Sequence, residues 1–183
     1  MTVKSLTLPL DQEKISELRA GDKVCLTGWM YTARDAAHKR MAEALEIGEP
    51  LPVDLAGQTI YYVGPTPARP GQVIGSAGPT TSSRMDPYTP ALLREGLKGM
   101  IGKGSRSAAV KEEIVRNRAV YFAAIGGAGA LIARTIREAQ MVAHHDLGTE
   151  AIYRLYVERF PVIVVNDTVG GDLYEQSLRS GHE

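Results

Sequence analysis

Short runs of β-branched and aromatic residues alternate along the chain with segments in which apolar residues recur every three or four positions. The runs are typical of strands, and the wider spacing is typical of amphipathic helices. Predicted strands cover residues 23–33, 59–64, 72–78, 97–102 and 119–126, with two more between residues 151 and 167. A Pro-rich turn between the second and third strands predicts an antiparallel pair there. Because hairpins and strand–helix–strand units both occur, the pattern predicts an α/β fold with a mixed sheet flanked by helices.

The predicted helices follow the strands. In the first one, Ala37, Met41, Ala44 and Leu45 share one face, and Gly48 ends the helix. Thr32 and Asp35 have the spacing of a capping box at its start. Further helices are predicted from the Thr89–Pro90 pair to Gly96, from Ser107 to about Asn117, and over residues 128–143.

Composition limits the classes of function. At 183 residues and 44% hydrophobic content, residues 1–183 are expected to form one domain. Lys plus Arg and Asp plus Glu both number 21, and no basic run stands out, so a nucleic-acid partner is not expected. We also expect no membrane span, because no segment reaches about 18 apolar residues. Cys25, the single cysteine, cannot form an internal disulfide or hold a metal cluster alone, which favours a reducing, cytoplasmic setting.

Two glycine-rich runs and one histidine pair do not meet the requirements of common sites. The run at residues 97–105 lacks the first glycine of a phosphate-binding loop, and Gly104 replaces its Ser or Thr. In the run that begins at Gly126, Ile132 occupies the third glycine position of a dinucleotide fingerprint. His144 and His145 are adjacent, so their side chains point apart, and a solvated helix end is preferred over a metal site.

A hydroxyl-rich segment is the main candidate for chemistry. The stretch "GPTTSSRMD" places Thr80, Thr81, Ser82 and Ser83 before Arg84. Hydroxyls and backbone N–H groups beside a guanidinium suit a carboxylate or a phosphate, although an elaborate turn would use the same residues.

Two further cations follow apolar strands. These are Arg34 and Lys103. Because loops at strand ends commonly carry ligand-binding groups, the three cations predict a site for a small di-acid. His38 lies one turn after Arg34, either as a satisfied surface histidine or as a supporting group.

Four segments resemble a known family. They are "TARDAAHKRM", "GPTTSSRMDPYTPALLREGLKGMIGKG", "YFAAIGGAGALIA" and "DLGTEAIYRLYVERFPVIVVND". Together they resemble the β subunit of two-subunit class I iron–sulfur fumarate hydratase, or the C-terminal domain of its single-chain form. The resemblance covers almost the whole chain.

The resemblance implies a swivelling β/β/α domain and a shared active site. Its α subunit would hold a 4Fe-4S cluster through three cysteines, so this chain would bind no metal and would be inactive alone. Arg34, Arg84 and Lys103 would hold a substrate carboxylate, with Thr80 as the proton-transfer group and Thr81 beside it. Asp35 and His38 would support them, and Asp35 either orients Arg34 or completes the helix cap.

Three functions remain open from the sequence. The first is reversible hydration of fumarate to malate by a homodimer or an α2β2 assembly with the cluster-bearing subunit. The β subunit of L(+)-tartrate dehydratase shares the GPTT and GKG elements. In the tartrate dehydratase branch, cysteines are typical around the segment "ARDAAH". This chain has Ala33, Ala36 and Ala37 there, which favours fumarate as the substrate. The third is a non-catalytic module that binds a small dicarboxylate.

Overall fold

The computed structural model describes residues 2–124 and 129–180. Seven strands lie within this part of the chain: β1 Lys4–Leu8, β2 Lys23–Thr32, β3 Thr59–Tyr61, β4 Gly99–Gly102, β5 Val120–Ala124, β6 Ile136–Ala143 and β7 Ile152–Asn166. The α-helices are α1 Gln12–Ser16, α2 Asp35–Glu46, α3 Thr89–Arg94, α4 Ala108–Arg116, α5 Gly129–Ala133 and α6 Leu173–Ser180. Two 3₁₀ helices cover Ser82–Met85 and His145–Glu150. None of the helices in these residues is long and apolar enough to cross a membrane.

The seven strands form one mixed sheet that closes on itself. Its order is β1-β2-β3-β4-β5-β7-β6, and β2 also pairs with β7. Strands β1 to β5 are mutually parallel where they pair, whereas β7 runs antiparallel to β2, β5 and β6. The prediction of an α/β domain with a mixed sheet flanked by helices is confirmed, and the closed, barrel-like sheet is an added feature.

Alternation along the strands divides the apolar side chains into two cores. Tyr61, Ile101 and Phe122 belong to a barrel core on the face that the ring of strands encloses. Tyr62 and Met100, next to them in sequence, belong to an outer core against α2, α3 and α4. Successive side chains of a strand point to opposite faces, so these short strands are buried on both sides.

The carboxyl ends of β2, β3 and β4 meet at one edge of the sheet, because these strands are parallel neighbours. Arg34 begins the connection from β2 to α2, and Lys103 directly follows β4, as the sequence predicts. The α4 helix then begins after Ser107, whose hydroxyl accepts a hydrogen bond from the Val110 N–H. A helix start at Ser107 was predicted, and the structure shows Ser107 as the N-cap residue.

The antiparallel pair predicted for residues 59–64 and 72–78 is wrong. β3 pairs in parallel with β2 and β4, and residues 72–78 contain no strand. The segment closes on itself instead, since the Ser76 N–H donates to Thr66 Oγ1 at 2.7 Å and the Gly75 N–H donates to the Thr66 carbonyl at 3.1 Å. Parallel strands need long connections, and α2 supplies the one between β2 and β3.

Two further predictions in the second half of the chain are wrong. The helix predicted over residues 128–143 is the short α5 followed by β6, with residue 128 outside the described part. Its residues favour helix, but pairing with β7 over six registered positions overrides that preference. The two strands predicted between residues 151 and 167 form the single strand β7, in which Arg159 takes a positive φ of 52°.

Two helix starts and one helix end differ from the prediction. The capping box does not form, because Arg34 is the N-cap of α2 and Thr32 Oγ1 accepts the Tyr153 N–H at 3.1 Å. Thr89 is the first residue of α3 and not its cap. His144 precedes a 3₁₀ helix in a left-handed conformation and does not end an α-helix.

Candidate functional site

The hydroxyl-rich segment lies against the ends of β3 and β4. The Thr80 N–H donates to the Tyr62 carbonyl at 2.7 Å, and Thr81 forms a parallel bridge with Lys103. The Lys103 N–H donates to the Thr80 carbonyl at 3.3 Å, and the Ser82 N–H donates to the Lys103 carbonyl at 2.9 Å. The backbone therefore fixes Thr80, Thr81 and Lys103 next to one another.

The four hydroxyls of this segment are not equivalent. Ser82 is buried and its Oγ lies 2.7 Å from the hydroxyl of Tyr121, so it serves the interior. Thr80 is half-buried, and Thr81 and Ser83 are exposed. Within residues 2–124 and 129–180, no side-chain hydrogen bond engages the Thr80 or Thr81 hydroxyl. These two hydroxyls are free to meet a ligand.

Asp35 joins two of the predicted arginines. Its Oδ2 accepts from Nε of Arg84 at 2.7 Å and lies 2.6 Å from Nη2 of the same guanidinium. Arg34 Nε lies 3.9 Å from Asp35 Oδ1, beyond hydrogen-bond distance. Asp35 thus orients Arg84 more closely than Arg34, and it does not accept a cap bond from α2.

Glu150 is a second carboxylate at Arg34 that sequence reasoning missed. Its Oε1 lies 3.7 Å from Arg34 Nε. These two atoms and Asp35 Oδ1 are buried and lack hydrogen-bond partners. Glu150 comes from the 3₁₀ helix between β6 and β7, and no local sequence signal connects it with Arg34. Only the pairing of β7 with β2 brings the two residues together.

Gly64 leaves the space that Arg34 occupies. A Cβ on Gly64 would lie 3.0 Å from both Cδ and Nη1 of Arg34, and 3.3 Å from the Thr149 carbonyl oxygen. A larger residue at this position would therefore move the guanidinium. Gly64 lies shortly after β3. It contributes to the site because glycine has no side chain that would displace Arg34.

Lys103 is the exposed cation of the group. The residue is exposed, and its ammonium has no ion pair or hydrogen bond with any residue in the described ranges. Arg84 is about half exposed as well, at 51% of its side chain. Arg34 and Arg84 lie against the carboxylates of Asp35 and Glu150, and Lys103 has no carboxylate partner among the described residues, which leaves one positive charge in excess. A group with a net positive charge attracts an anion. Its nitrogen atoms that have no partner can then donate hydrogen bonds to that anion.

His38 is a buried residue that contacts the backbone of Arg34. It is fully buried, and its Nδ1 lies 2.9 Å from the Arg34 carbonyl oxygen, which can only accept, so Nδ1 carries the proton. Its ring meets Tyr62 edge to face, with centroids 5.2 Å apart. Burial is the main cause that lowers the pKa of His38 to about 4, and the nearby Arg106 acts in the same direction. His38 is therefore a neutral donor at neutral pH.

The structure thus brings the predicted residues together through a continuous set of contacts. Ion pairs connect Arg34, Asp35 and Arg84. Backbone hydrogen bonds connect Thr80, Thr81 and Lys103. His38 donates a hydrogen bond to the Arg34 carbonyl. Arg84 belongs to the same short segment as Thr80 and so links the first two groups. Their roles toward a substrate remain predictions.

The His, Cys, Asp and Glu residues of the described chain are the candidate ligands for a metal ion. In the parts of the chain that the structure describes, no three His, Cys, Asp or Glu residues are placed to hold a metal ion. Cys25 lies within β2, opposite Ser5 of β1 and Pro161 of β7. An iron–sulfur cluster, which takes several cysteine ligands, does not fit the donors present here. The cation group instead fits the acidic ends of a small molecule.

Comparison with known proteins identifies the family of this chain. Residues 2–177 match the family model described as "Fumarase C-terminus". "Fumarate hydratase 2" of Leishmania major is 36% identical over 177 residues, which cover 94% of this chain and 31% of that protein. "Fumarate hydratase class I, anaerobic" of Escherichia coli is 35% identical over 165 residues, covering 89% and 30%. This chain therefore spans about a third of the length of these relatives.

A third relative has nearly the same length as this chain. "Putative L(+)-tartrate dehydratase subunit beta" of Methanocaldococcus jannaschii is 35% identical over 180 residues, which cover 95% of this chain and 92% of that protein. The named relatives are hydratases and a dehydratase, and both belong to the hydro-lyases. From its match over residues 2–177 and these relatives, the chain belongs to the fumarase C-terminal domain family of hydro-lyases.

Proposed function

We propose that this chain is the β subunit of a two-subunit hydro-lyase that interconverts fumarate and malate, and that it supplies the carboxylate-binding half of the active site. The observation that carries the proposal is the group of Arg34, Arg84 and Lys103 at one sheet edge, beside two free threonine hydroxyls. The relative from Methanocaldococcus jannaschii, named as a β subunit and covered over 92% of its length, supports a separate partner subunit.

The three cations have a defined task in this reaction. Dehydration of malate removes a proton from the carbon beside one carboxylate and a hydroxide from the other central carbon, and the two leave as water. Negative charge develops on the carboxylate next to the first carbon. Arg84 and Lys103, which are exposed, would bind that carboxylate and stabilise the charge as it grows.

Asp35 and Glu150 differ in how closely they contact the two guanidinium groups. Asp35 Oδ2 engages two nitrogens of Arg84, which orients the fork of donors toward the site. Arg34 lies between Asp35 and Glu150 without a short bond to either. It can therefore turn toward a substrate carboxylate without losing a hydrogen bond.

Thr80 is proposed to accept the proton from carbon. Its hydroxyl is half-buried and has no side-chain partner among the residues that the structure describes. A threonine hydroxyl is a weak base, so its own proton must pass to a stronger base when it accepts the substrate proton. We propose that the partner subunit supplies that base.

The partner is also proposed to hold a 4Fe-4S cluster, since this chain has a single cysteine. Such a cluster, when bound, supplies a Lewis-acidic iron for the substrate hydroxyl. We further propose an α2β2 assembly in the cytoplasm, where reducing conditions protect such a cluster.

The test is anaerobic co-expression with a candidate cluster-bearing subunit, followed by assays on malate, fumarate and tartrate. We expect the pair to interconvert fumarate and malate, and each chain alone to be inactive. Lys103→Met should lower kcat/KM roughly a hundredfold. Lys23→Met is the matched control, because Lys23 is an exposed lysine at the opposite end of the parallel strands. Equal activity of the two variants would overturn the proposal.

Tartrate dehydration is the second candidate. The near-equal length of the Methanocaldococcus jannaschii relative favours it. Turnover of tartrate without turnover of fumarate would decide for this candidate. Tight dicarboxylate binding by the chain alone, with no activity in any pair, would indicate a non-catalytic binding module.

A further inference from the structure

A buried arginine, Arg106, contacts the hydroxyl-rich segment. The Arg106 side chain is 0% exposed. Its Nε donates to Asp86 Oδ1 at 2.7 Å, Nη2 donates to Thr89 Oγ1 at 2.8 Å, and Nη1 donates to the Tyr62 hydroxyl at 3.1 Å. Arg106 therefore ties the end of the hydroxyl-rich segment to the start of α3 and to the end of β3.

Aromatic rings enclose the same guanidinium. Its central carbon lies 5.3 Å from the ring centroid of Tyr62 and 4.9 Å from that of Tyr121. Burial alone would lower the pKa of Arg106, but Tyr62 and Asp86 hold that pKa above its ordinary value. The guanidinium thus stays charged, and two aromatic rings together with three hydrogen bonds restrict its position.

Tyr121 makes a second connection between the two loops. Its hydroxyl donates to the Gly104 carbonyl at 2.7 Å, so the Ser82 hydroxyl, also at 2.7 Å, must donate to Tyr121. Gly102 allows this close approach, because a Cβ there would lie 2.0 Å from Ser82 Oγ. The loop that carries Lys103 is thus held at Gly104 by Tyr121 and at Arg106 by Asp86.

The Asp86 carboxylate completes the connection. Its Oδ1 accepts from Arg106, and its Oδ2 accepts the Ser107 N–H at 2.7 Å. One carboxylate of the hydroxyl-rich segment thus receives two bonds from the loop that follows β4. Both are short bonds to a charged acceptor, which restricts their length and direction.

We propose that Arg106 and Tyr121 are positioning residues, which fix the distance between Lys103 and the segment from Thr80 to Arg84. This rests on the proposed function, because it concerns the spacing of the groups that would bind substrate. A charged group is costly to bury, and a packed apolar side chain is often as stable. An apolar side chain cannot replace directed bonds to three elements.

The spacing matters because the backbone bonds at the site are few. Lys103 is held to its neighbours by the bonds of Lys103 N–H to Thr80 and of Ser82 N–H to Lys103. Without Arg106 or the Tyr121 hydroxyl, the hydrogen bonds of these two amides should break more often. Displacement of a substrate-binding group by about 1 Å is enough to cost roughly a hundredfold in rate.

The test uses Arg106→Lys and Tyr121→Phe in the full chain. Lysine keeps the charge, but its compact ammonium on a flexible stem cannot reproduce the planar fork of the guanidinium, and phenylalanine removes a single oxygen atom. Controls are Arg94→Lys, which alters the pair of the exposed Arg94 with the buried Glu113, and Tyr156→Phe, which alters a tyrosine packed on Trp29 of β2. Because Tyr121→Phe changes so little, it stays informative if the arginine variant does not fold.

The first measurement is amide hydrogen exchange, which does not require a partner subunit. We expect exchange at Ser82 and Lys103 to accelerate roughly tenfold or more in Tyr121→Phe and Arg106→Lys, with amides of the β2–β7 pairing unchanged. The controls should match the wild type at both positions. Unchanged exchange at Ser82 and Lys103, or equal acceleration throughout the chain, would overturn the inference.

The second measurement is activity of the chain assembled with its cluster-bearing partner. We expect kcat/KM to fall roughly tenfold or more in Tyr121→Phe. Arg106→Lys should also have a lower kcat/KM than the wild type, although it keeps the positive charge. Faster local exchange with full activity would overturn the catalytic part of the inference. An inactive wild-type pair would refute the proposed function, while the exchange result would still decide whether Arg106 and Tyr121 set the spacing.

Discussion

Replacement of His38 by asparagine should change how the stability of the chain depends on pH. His38 is fully buried, and its Nδ1–H donates to the Arg34 carbonyl. An asparagine amide nitrogen occupies nearly the same position as Nδ1, so the variant retains this donor. What it loses is the group that takes up a proton in acid.

The size of the effect follows from the pKa of His38. Burial, together with the positive charge of Arg106, lowers that pKa from 6.5 to about 4, while the Arg34 carbonyl and Asp35 act in the opposite direction. Between these pH values the unfolded chain binds a proton that the folded chain does not. The free energy of unfolding should therefore fall by about 1.4 kcal/mol per pH unit, or about 3 kcal/mol in total. This contribution is fully present above pH 6.5 and is lost as pH falls to about 4.

Urea unfolding followed by the fluorescence of Trp29 measures this dependence. The difference between wild type and His38→Asn should be constant above pH 6.5 and should shift in favour of the variant at lower pH. His145→Asn is the control, because His145 is exposed and should leave the wild-type dependence unchanged. Parallel curves for wild type and His38→Asn from pH 7 to pH 4.5 would refute the reasoning.

Three substitutions test the proposed substrate-binding residues in the proposed two-subunit enzyme. Gly64→Ala should raise KM roughly tenfold without lowering the melting temperature, because the new methyl group would lie 3.0 Å from Arg34; an unchanged KM would show that Arg34 does not bind substrate. Arg84→Lys should lower kcat/KM roughly a hundredfold, since a point charge cannot replace a guanidinium fork, and near wild-type turnover would contradict that role. Thr80→Ala should lower kcat far more than it changes KM, and unchanged turnover would assign Thr80 to packing.

Local sequence was sufficient for the features set by neighbouring residues. Arg34 and Lys103 follow apolar strands as predicted, and Ser107 caps α4. In each case a few consecutive residues determine the structure: a buried strand ends, a polar residue follows, and a helix or loop begins. The parallel order of β2, β3 and β4 then places the loops at one edge.

Pairing between distant segments could not be predicted from local sequence. The residues of β6 favour helix and form a strand only because β7 offers an edge beside it. Glu150 reaches Arg34 only after β7 has paired with β2. Arg106 has no local signal either, because its partners come from two other parts of the chain, Tyr62 after β3 and Asp86 and Thr89 before α3 and at its start.

The antiparallel strand β7 also has a consequence for biosynthesis. It pairs with β2, β5 and β6, and it is the last strand of the described chain to leave the ribosome. Until Asn166 has emerged, β2 and β5 lack the neighbour that closes the ring, and the side chains of the barrel core face water. A nascent chain stalled before Ile152 would therefore expose unpaired strand edges and require chaperone protection.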